Sequence, residues 1–271
     1  MRKLLLFVHV LVFGVISYEL RAAEVRIAVT SSFNNSGLSD VLLPVIKQDL
    51  DLDVQVLVVG TGQALKLGRA GDVDAILVHS KEAEEQFVKD GFGTHRREIM
   101  YNDFVIIGPS QDTADIAKAE TAISALRKIM ESKKLFVSRG DDSGTHKKEV
   151  SLWETLGMDA GAFDPAWYRS VGAGMGAALN TASGMNAYII SDRASWLNFA
   201  NKGDLKLLFH GDPELFNQYT YIAVNPARHS HVKIKSAKAL EAWLVGERAQ
   251  KLIGTYSIDK ERLFTPNAKK L

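Results

Sequence analysis

Short β-branched runs alternate with helically spaced apolar residues along most of this chain, and that alternation restricts its fold more than any other feature. Val25 to Val29 (VRIAV) is strand-like, Thr30, Ser31 and Ser32 form a polar turn, and Leu38, Val41, Leu42, Val45 and Ile46 then recur at helical spacing. The pattern repeats: Val54 to Val59 leads into Gly60-Thr61-Gly62 and a helical Gln63 to Leu67, and Ala75 to Val78 leads into His79-Ser80 and the acidic helix KEAEEQFVK. Strands alternating with helices imply a parallel sheet with crossover connections. Ligands of such sheets lie beyond the carboxyl ends of the strands, an edge that here carries Thr30, Ser31, Ser32, Thr61 and Ser80.

Ile99 to Pro109 closes this block with a long strand-like run, and a new α/β unit begins near Ser110 with the helical TADIAKAETAISALRKIM. Leu135 to Ser138 is its first strand. The turn Ser138-Arg139-Gly140-Asp141-Asp142-Ser143-Gly144-Thr145-His146 follows and opens the helix KKEVSLWETLG, and Gly172 to Gly176 opens a further helix. Tyr188 to Ile190, Leu205 to Phe209 and Tyr219 to Val224 are later strands, and Ala237 to Leu252 has the spacing of one helix. A chain of 271 residues is at the size where single cores stop growing. Two lobes are therefore expected, 23–108 with 222–271 as one and 109–221 as the other.

Met1-Arg2-Lys3 and the apolar run Leu4 to Ile16 match the basic and hydrophobic parts of a secretory leader, with small residues at Ala22 and Ala23. The run is too short for a bilayer-spanning helix, which takes about 20 residues. A leader over 1–22 leaves 30 positive and 31 negative side chains in the mature chain. That balance offers no surplus charge for a nucleic-acid backbone. Composition, 46% apolar and 24% charged, is that of a folded globular protein. Cysteine is absent, which excludes disulfides, thiolate metal sites and a lipidated cysteine anchor. A secreted chain without an anchor needs an outer barrier to retain it, so the expected compartment is the bacterial periplasm.

Helix N-termini present unpaired N–H groups and about half a positive charge, so they accept anions, and hydroxyls at the same positions add donors. The turns TSSFNNSG and SRGDDSGTH both have this character, and Arg139 adds a guanidinium to the second. The same residues also serve as plain N-caps. Asp141 can accept a hydrogen bond from a protonated phosphate, pair with Arg139, or cap the helix. GTGQAL ends on Leu where a dinucleotide fingerprint needs Gly or Ala, and neither GAGMG nor GDDSGTHK has phosphate-loop spacing. Asp49, Asp51 and Asp53 lack the glycine and final carboxylate of a calcium loop. No H-E-x-x-H occurs, and His229 and His231 read as a solvated loop, so no protein-ligated metal is expected. Ser143 and His146 raise a hydrolase alternative without a G-x-S-x-G elbow. Trp153, Trp196 and Trp243 occupy apolar helical settings and read as core.

Together these turns resemble the periplasmic tungstate-binding components of ABC transporters, over most of the chain from Val25 to Ile253. The resemblance rests on SSFNNSGL, VVGTGQALKLGRAGDVDAILVHS, MYNDFVIIGP, FVSRGDDSGTHKKE, GAGMG and IAVNP. The family's Thr-Thr-Thr-Ser pattern falls on Val29-Thr30-Ser31-Ser32, with Val29 departing from it. The resemblance implies an α/β, two-lobed class II periplasmic binding fold, each lobe a mixed, mainly parallel sheet flanked by helices. It implies a monomeric receptor, not an enzyme, that takes no cofactor and delivers tungstate or molybdate to an inner-membrane permease with its cytoplasmic ATPase. By matching position, Thr30, Ser31, Ser32, Thr61 and Arg139 are the oxyanion contacts. Ser143, Gly144 and Thr145 are similar to the S-G-T element of phosphate binders, and Gly174 and Met175 are candidate backbone donors. A phosphate receptor of the same fold is the alternative.

Overall fold

A computed structural model describes residues 23–269. The expected leader lies outside the described residues. The chain begins with β1 (Ala23–Thr30), α1 (Ser31–Asn35), α2 (Leu38–Leu50), β2 (Leu52–Val59), α3 (Thr61–Ala70), β3 (Ala75–Val78), α4 (Lys81–Lys89) and the long β4 (Arg97–Pro109). It continues through α5 (Ala122–Glu131), β5 (Phe136–Ser138), α6 (Gly144–Thr155), β6 (Tyr168–Ser170), α7 (Met175–Met185), β7 (Tyr188–Asp192), α8 (Arg193–Asn198) and β8 (Leu205–Phe209). The last elements are β9 (Phe216–Ala223), α9 (Ile234–Leu244), α10 (Glu247–Thr255), β10 (Ser257–Ile258), β11 (Glu261–Arg262) and β12 (Thr265–Pro266).

One mixed sheet runs through the molecule in the order β2-β1-β3-β9-β4-β7-β5-β6, with β8 and β12 also on β4. Three strands at each end are parallel, β2-β1-β3 and β7-β5-β6, while β9 and β4 run antiparallel between them. β4 changes partner along its length: Arg97 to Asp103 pair with β9, whereas Phe104 to Ile107 pair with β7. The strand therefore divides the sheet into a first and a second half.

Alternation along the strands sends side chains to opposite faces, and helices cover both. In the first half, Val25, Ile27 and Val29 join Leu38, Leu42 and Ile46 of α2 on one face, while Ala28, Ile76 and Val78 join Ala64, Leu65 and Phe87 on the other. All four residues of β3 are buried for this reason. In the second half, Phe104 and Ile106 pack with Leu126, Ile129 and Trp153, and Val105 and Ile107 pack with Met175, Leu179 and Trp196. Thr121 caps α5 in a reciprocal box with Ser124, satisfying N–H groups that the helix start leaves open.

One expectation needs correction. Ala237 to Leu252 is not one helix: Gly246 adopts extended backbone and N-caps α10, so the apolar spacing runs across a break. His229 and His231 lie in a loop as expected, half-buried and exposed respectively, and each Nε2 is hydrogen-bonded at 2.8 Å to a backbone carbonyl at the end of α3, Arg69 and Gly71 respectively. Among the described residues no helix is long and apolar enough to cross a membrane, and no group of three His, Cys, Asp or Glu side chains could hold a metal ion.

Candidate functional site

β1, β3 and β5 end in buried polar residues rather than in solvated turns. Thr30 ends β1 and caps α1, its hydroxyl accepting the Phe33 N–H at 3.4 Å. Its Oγ1 lies 2.9 Å from Ser32 Oγ, which in turn lies 2.8 Å from His79 Nε2 and accepts the Tyr219 hydroxyl at 3.1 Å. Thr30, Ser32, His79 and Tyr219 are all buried, and Ser31 is half-buried at the start of α1. Thr61, the first residue of α3, is fully buried and its hydroxyl has no hydrogen-bond partner.

In the second half, Arg139 follows β5 and is only 3% exposed. Its Nη2 donates to Asp141 Oδ2 at 2.6 Å, while its Nε has no partner. Gly140 makes the turn possible with φ +61°, a left-handed conformation that side chains disfavour. Ser143 caps α6, accepting the His146 N–H at 3.1 Å, and Thr145 is buried with an unpartnered hydroxyl. The geometry gives the hydrolase alternative no support: the contact between the two residues runs from the His146 backbone N–H to Ser143 Oγ, and the imidazole is engaged through Nδ1 with the Asp141 carbonyl. The Gly172 and Ala173 N–H groups donate to the Arg139 carbonyl, which seats the GAGMG loop beside the turn. Gly174, at the N-cap of α7, is exposed, and the Met175 side chain lies in the apolar core. Only the N–H groups of that helix start remain as candidate donors.

The two halves touch along this edge. The Gly62 N–H donates to the Asp142 carbonyl at 2.9 Å, and Asn198 Nδ2 of α8 donates to the Asn35 carbonyl of α1 at 2.7 Å. A Cβ on Gly144 would stand 2.5 Å from His79 Cε1 and Nδ1, so only glycine permits this approach. A cleft of about 380 Å³, lined by residues of both halves including His79, Ser80, Gly144 and Lys147, runs beside the contact. The result is a closed seam with unpartnered donors on either side: Thr61 Oγ1 from the first half, Arg139 Nε and Thr145 Oγ1 from the second. A buried donor without an acceptor costs about 1–3 kcal/mol. Two hydroxyls and one guanidinium N–H left in this way suit an anion with several acceptor oxygens.

Burial dominates the electrostatics of the seam. Burial, and then the charge of Arg139, lower the His79 pKa to about 3, so the ring is neutral. Burial raises the Asp192 carboxyl above its ordinary range, against the pull of Ser195 and Arg139. Burial also raises Tyr219 and keeps its hydroxyl a donor. His79, Tyr219, Asp192 and the unpartnered Ser195 hydroxyl were not among the expected site residues. His79 had a signal, since it follows β3 as Thr30 ends β1. Tyr219 had none, arriving on an antiparallel strand from 187 residues beyond Ser32.

Residues 19–248 match the PBP superfamily domain. The tungstate-binding protein TupA of Peptoclostridium acidaminophilum is 45% identical over 251 residues, 91% of this chain and 87% of that protein. Among solved structures, the tungstate ABC transporter from Geobacter sulfurreducens is 45% identical with a TM-score of 0.78, over 86% of this chain and 98% of that one. The tungstate-binding protein TupA from Desulfovibrio alaskensis G20 is 43% identical with a TM-score of 0.78, over 92% of this chain and all of that one (100%).

Proposed function

The chain belongs to the PBP superfamily and, within it, to the family of tungstate-binding proteins, and from that premise we propose that it captures tungstate, tolerates molybdate, and delivers the anion to an ABC importer. The observation that carries this reading is the set of buried, unpartnered donors on both sides of the seam, Thr61 and Thr145 hydroxyls and Arg139 Nε. Thr30, Ser31, Thr61, Arg139 and Thr145 are the proposed side-chain contacts, with Ser32 behind Thr30 as its hydrogen-bond partner and backbone N–H groups of Gly144 and Met175 at the starts of α6 and α7. Ser143 supports the site as the cap of α6, and Gly174 as the cap of α7. Fixed donors replace the anion's water, and the dry seam strengthens each bond. No bond of the ligand is made or broken.

We assign residues 23–103 and 216–269 to one lobe and 104–215 to the other, because β4 exchanges partners between Asp103 and Phe104, and Asp103 pairs with Phe216 at the start of β9. That division is supported by strand pairing, since Gly108 and Pro109, the boundary expected from the sequence, are still paired with β8 of the second half. The proposed setting is the periplasm, reached through the leader 1–22, with the receptor a monomer that docks on a membrane permease driven by a cytoplasmic ATPase.

Calorimetric titration of the mature chain with tungstate, molybdate, phosphate and sulfate tests the reading. Expected are one-to-one binding of tungstate, molybdate equal or weaker, and no heat from phosphate. Sulfate is smaller and leaves donors short of an acceptor, at about 1–3 kcal/mol each. Heat from phosphate alone would reassign the ligand, and silence from all four would reduce these turns to helix caps.

A further inference from the structure

Three polar groups meet at the Ser32 hydroxyl, which has one hydrogen to donate and two lone pairs to fill. They are Thr30 Oγ1 at 2.9 Å, His79 Nε2 at 2.8 Å and the Tyr219 hydroxyl at 3.1 Å. Tyr219 donates into one lone pair. One lone pair and the hydrogen remain, to be divided between Thr30 and His79.

Two arrangements satisfy the geometry. With a bare Nε2, Ser32 donates to His79 and Thr30 donates to Ser32, so both hydroxyl hydrogens point into the protein. With a hydrogen on Nε2, His79 and Tyr219 fill both lone pairs of Ser32, and Ser32 donates to Thr30. Thr30 Oγ1 also accepts the Phe33 N–H at 3.4 Å. Its own hydrogen is then left to point outward.

We propose that His79 holds the Nε2–H form and fixes a one-way chain, His79 to Ser32 to Thr30, whose last hydrogen is donated to the bound oxyanion, an inference that rests on the site proposed above. His79 is thus a positioning residue: it commits the first turn to donation without itself touching the anion. The buried Nδ1 has no hydrogen-bond partner, which suits a bare nitrogen, because buried N–H groups are rarely left without an acceptor. The ring is neutral, through burial and the charge of Arg139, and so has a single hydrogen to place. It is held between Tyr219 and Phe104, with ring centroids 4.9 and 6.0 Å away.

Long-range 1H–15N correlation spectra of the labelled wild-type protein read the tautomer directly, with the His79 signals assigned by their loss in His79→Gln. Expected is a protonated Nε2 and a bare Nδ1, both in the free protein and with sodium tungstate. A protonated Nδ1 in the tungstate-loaded protein overturns the proposal. In parallel, His79→Gln, whose amide can offer an N–H near the Nε2 position, is expected to keep its tungstate affinity. His79→Phe keeps the ring packing without the donor and is expected to lose about tenfold or more. Equal affinities of the two variants would also overturn the proposal. Wild-type calorimetry separates the failures: no heat with tungstate removes the ligand assignment, while the tautomer in the free protein still decides the direction of the chain.

Discussion

Replacing Gly144 by Ala tests closure without disturbing either half of the fold. The added Cβ would lie 2.5 Å from His79 Cε1 and Nδ1 and 2.7 Å from the His79 carbonyl oxygen, against 3.4–4 Å for ordinary contact. Neither neighbour can yield easily, since one belongs to a buried ring packed on Tyr219 and the other to the backbone. Relief requires the halves to separate by about 1 Å at this point, judged against ordinary packing distances. The 2.9 Å bond from Gly62 N–H to the Asp142 carbonyl then stretches beyond hydrogen-bonding range. Bonds to an anion held between the halves lengthen with it. One neutral and at least one charge-assisted bond amount to roughly 3 kcal/mol, or about a hundredfold in affinity. Gly144 is the first residue of α6 and does not stand at positive φ, so Ala is helix-compatible there and favourable by up to about 1 kcal/mol. The expected variant therefore melts no lower than wild type in the absence of ligand, binds tungstate about a hundredfold more weakly by calorimetry, and fails to compact on tungstate in small-angle scattering. Affinity within about threefold of wild type, with unchanged compaction, would refute closure in this arrangement.

Other consequences follow from the same contacts. Arg139→Ala removes a charge-assisted donor and leaves half-buried Asp141 without its 2.6 Å partner, so oxyanion affinity is expected to fall by about tenfold or more in calorimetry; unchanged affinity would remove Arg139 from the site. Glu149 is fully enclosed beneath the Arg139 turn, where burial pushes its pKa up to about 7 from an ordinary 4.5. The unfolded chain ionises first as pH rises, so stability is highest below the ordinary pKa and falls by about 3 kcal/mol between there and neutrality. Glu149→Gln keeps an oxygen for Tyr168 and Trp153, which donate at 2.6 and 3.2 Å, and chemical denaturation across that range should lose most of this slope. Expression of the full chain in a Gram-negative host should yield a periplasmic product whose mass begins at Ala23 or Glu24; an uncut product would remove the leader.

Much of the architecture could be read because the responsible signals are local. β3 shows as four consecutive apolar residues, whose burial on both faces follows from their place inside the sheet. The rule that ligands sit beyond strand ends singled out Thr30 and Thr61, and the anion-binding character of helix starts singled out Arg139; all three are buried. The rule cannot tell a hydroxyl aimed at a ligand from one consumed by a helix cap, which is why Ser143 and Thr145 read alike although only Ser143 is engaged by its own helix. Spacing passed over Gly246 because Leu244, Val245 and Ala249 are buried on either side of the break, so burial stays periodic where backbone hydrogen bonding does not.

The unread part of the site depends on contacts distant in sequence. Tyr219 reaches Ser32 only because β9 pairs antiparallel to β3, a register fixed by the return of the chain from the second half. His229 and His231 reach the end of α3 across 160 residues. The same return explains why the donors of the first turn have a direction at all. Local sequence supplies Thr30 and Ser32 as a pair of hydroxyls that could donate to each other either way. Tyr219 fills one lone pair of Ser32, and the proposed Nε2–H of His79 fills the other, so that Ser32 is left to donate to Thr30. The polarity of the turn is thus a tertiary property, formed only when β3 and β9 are paired.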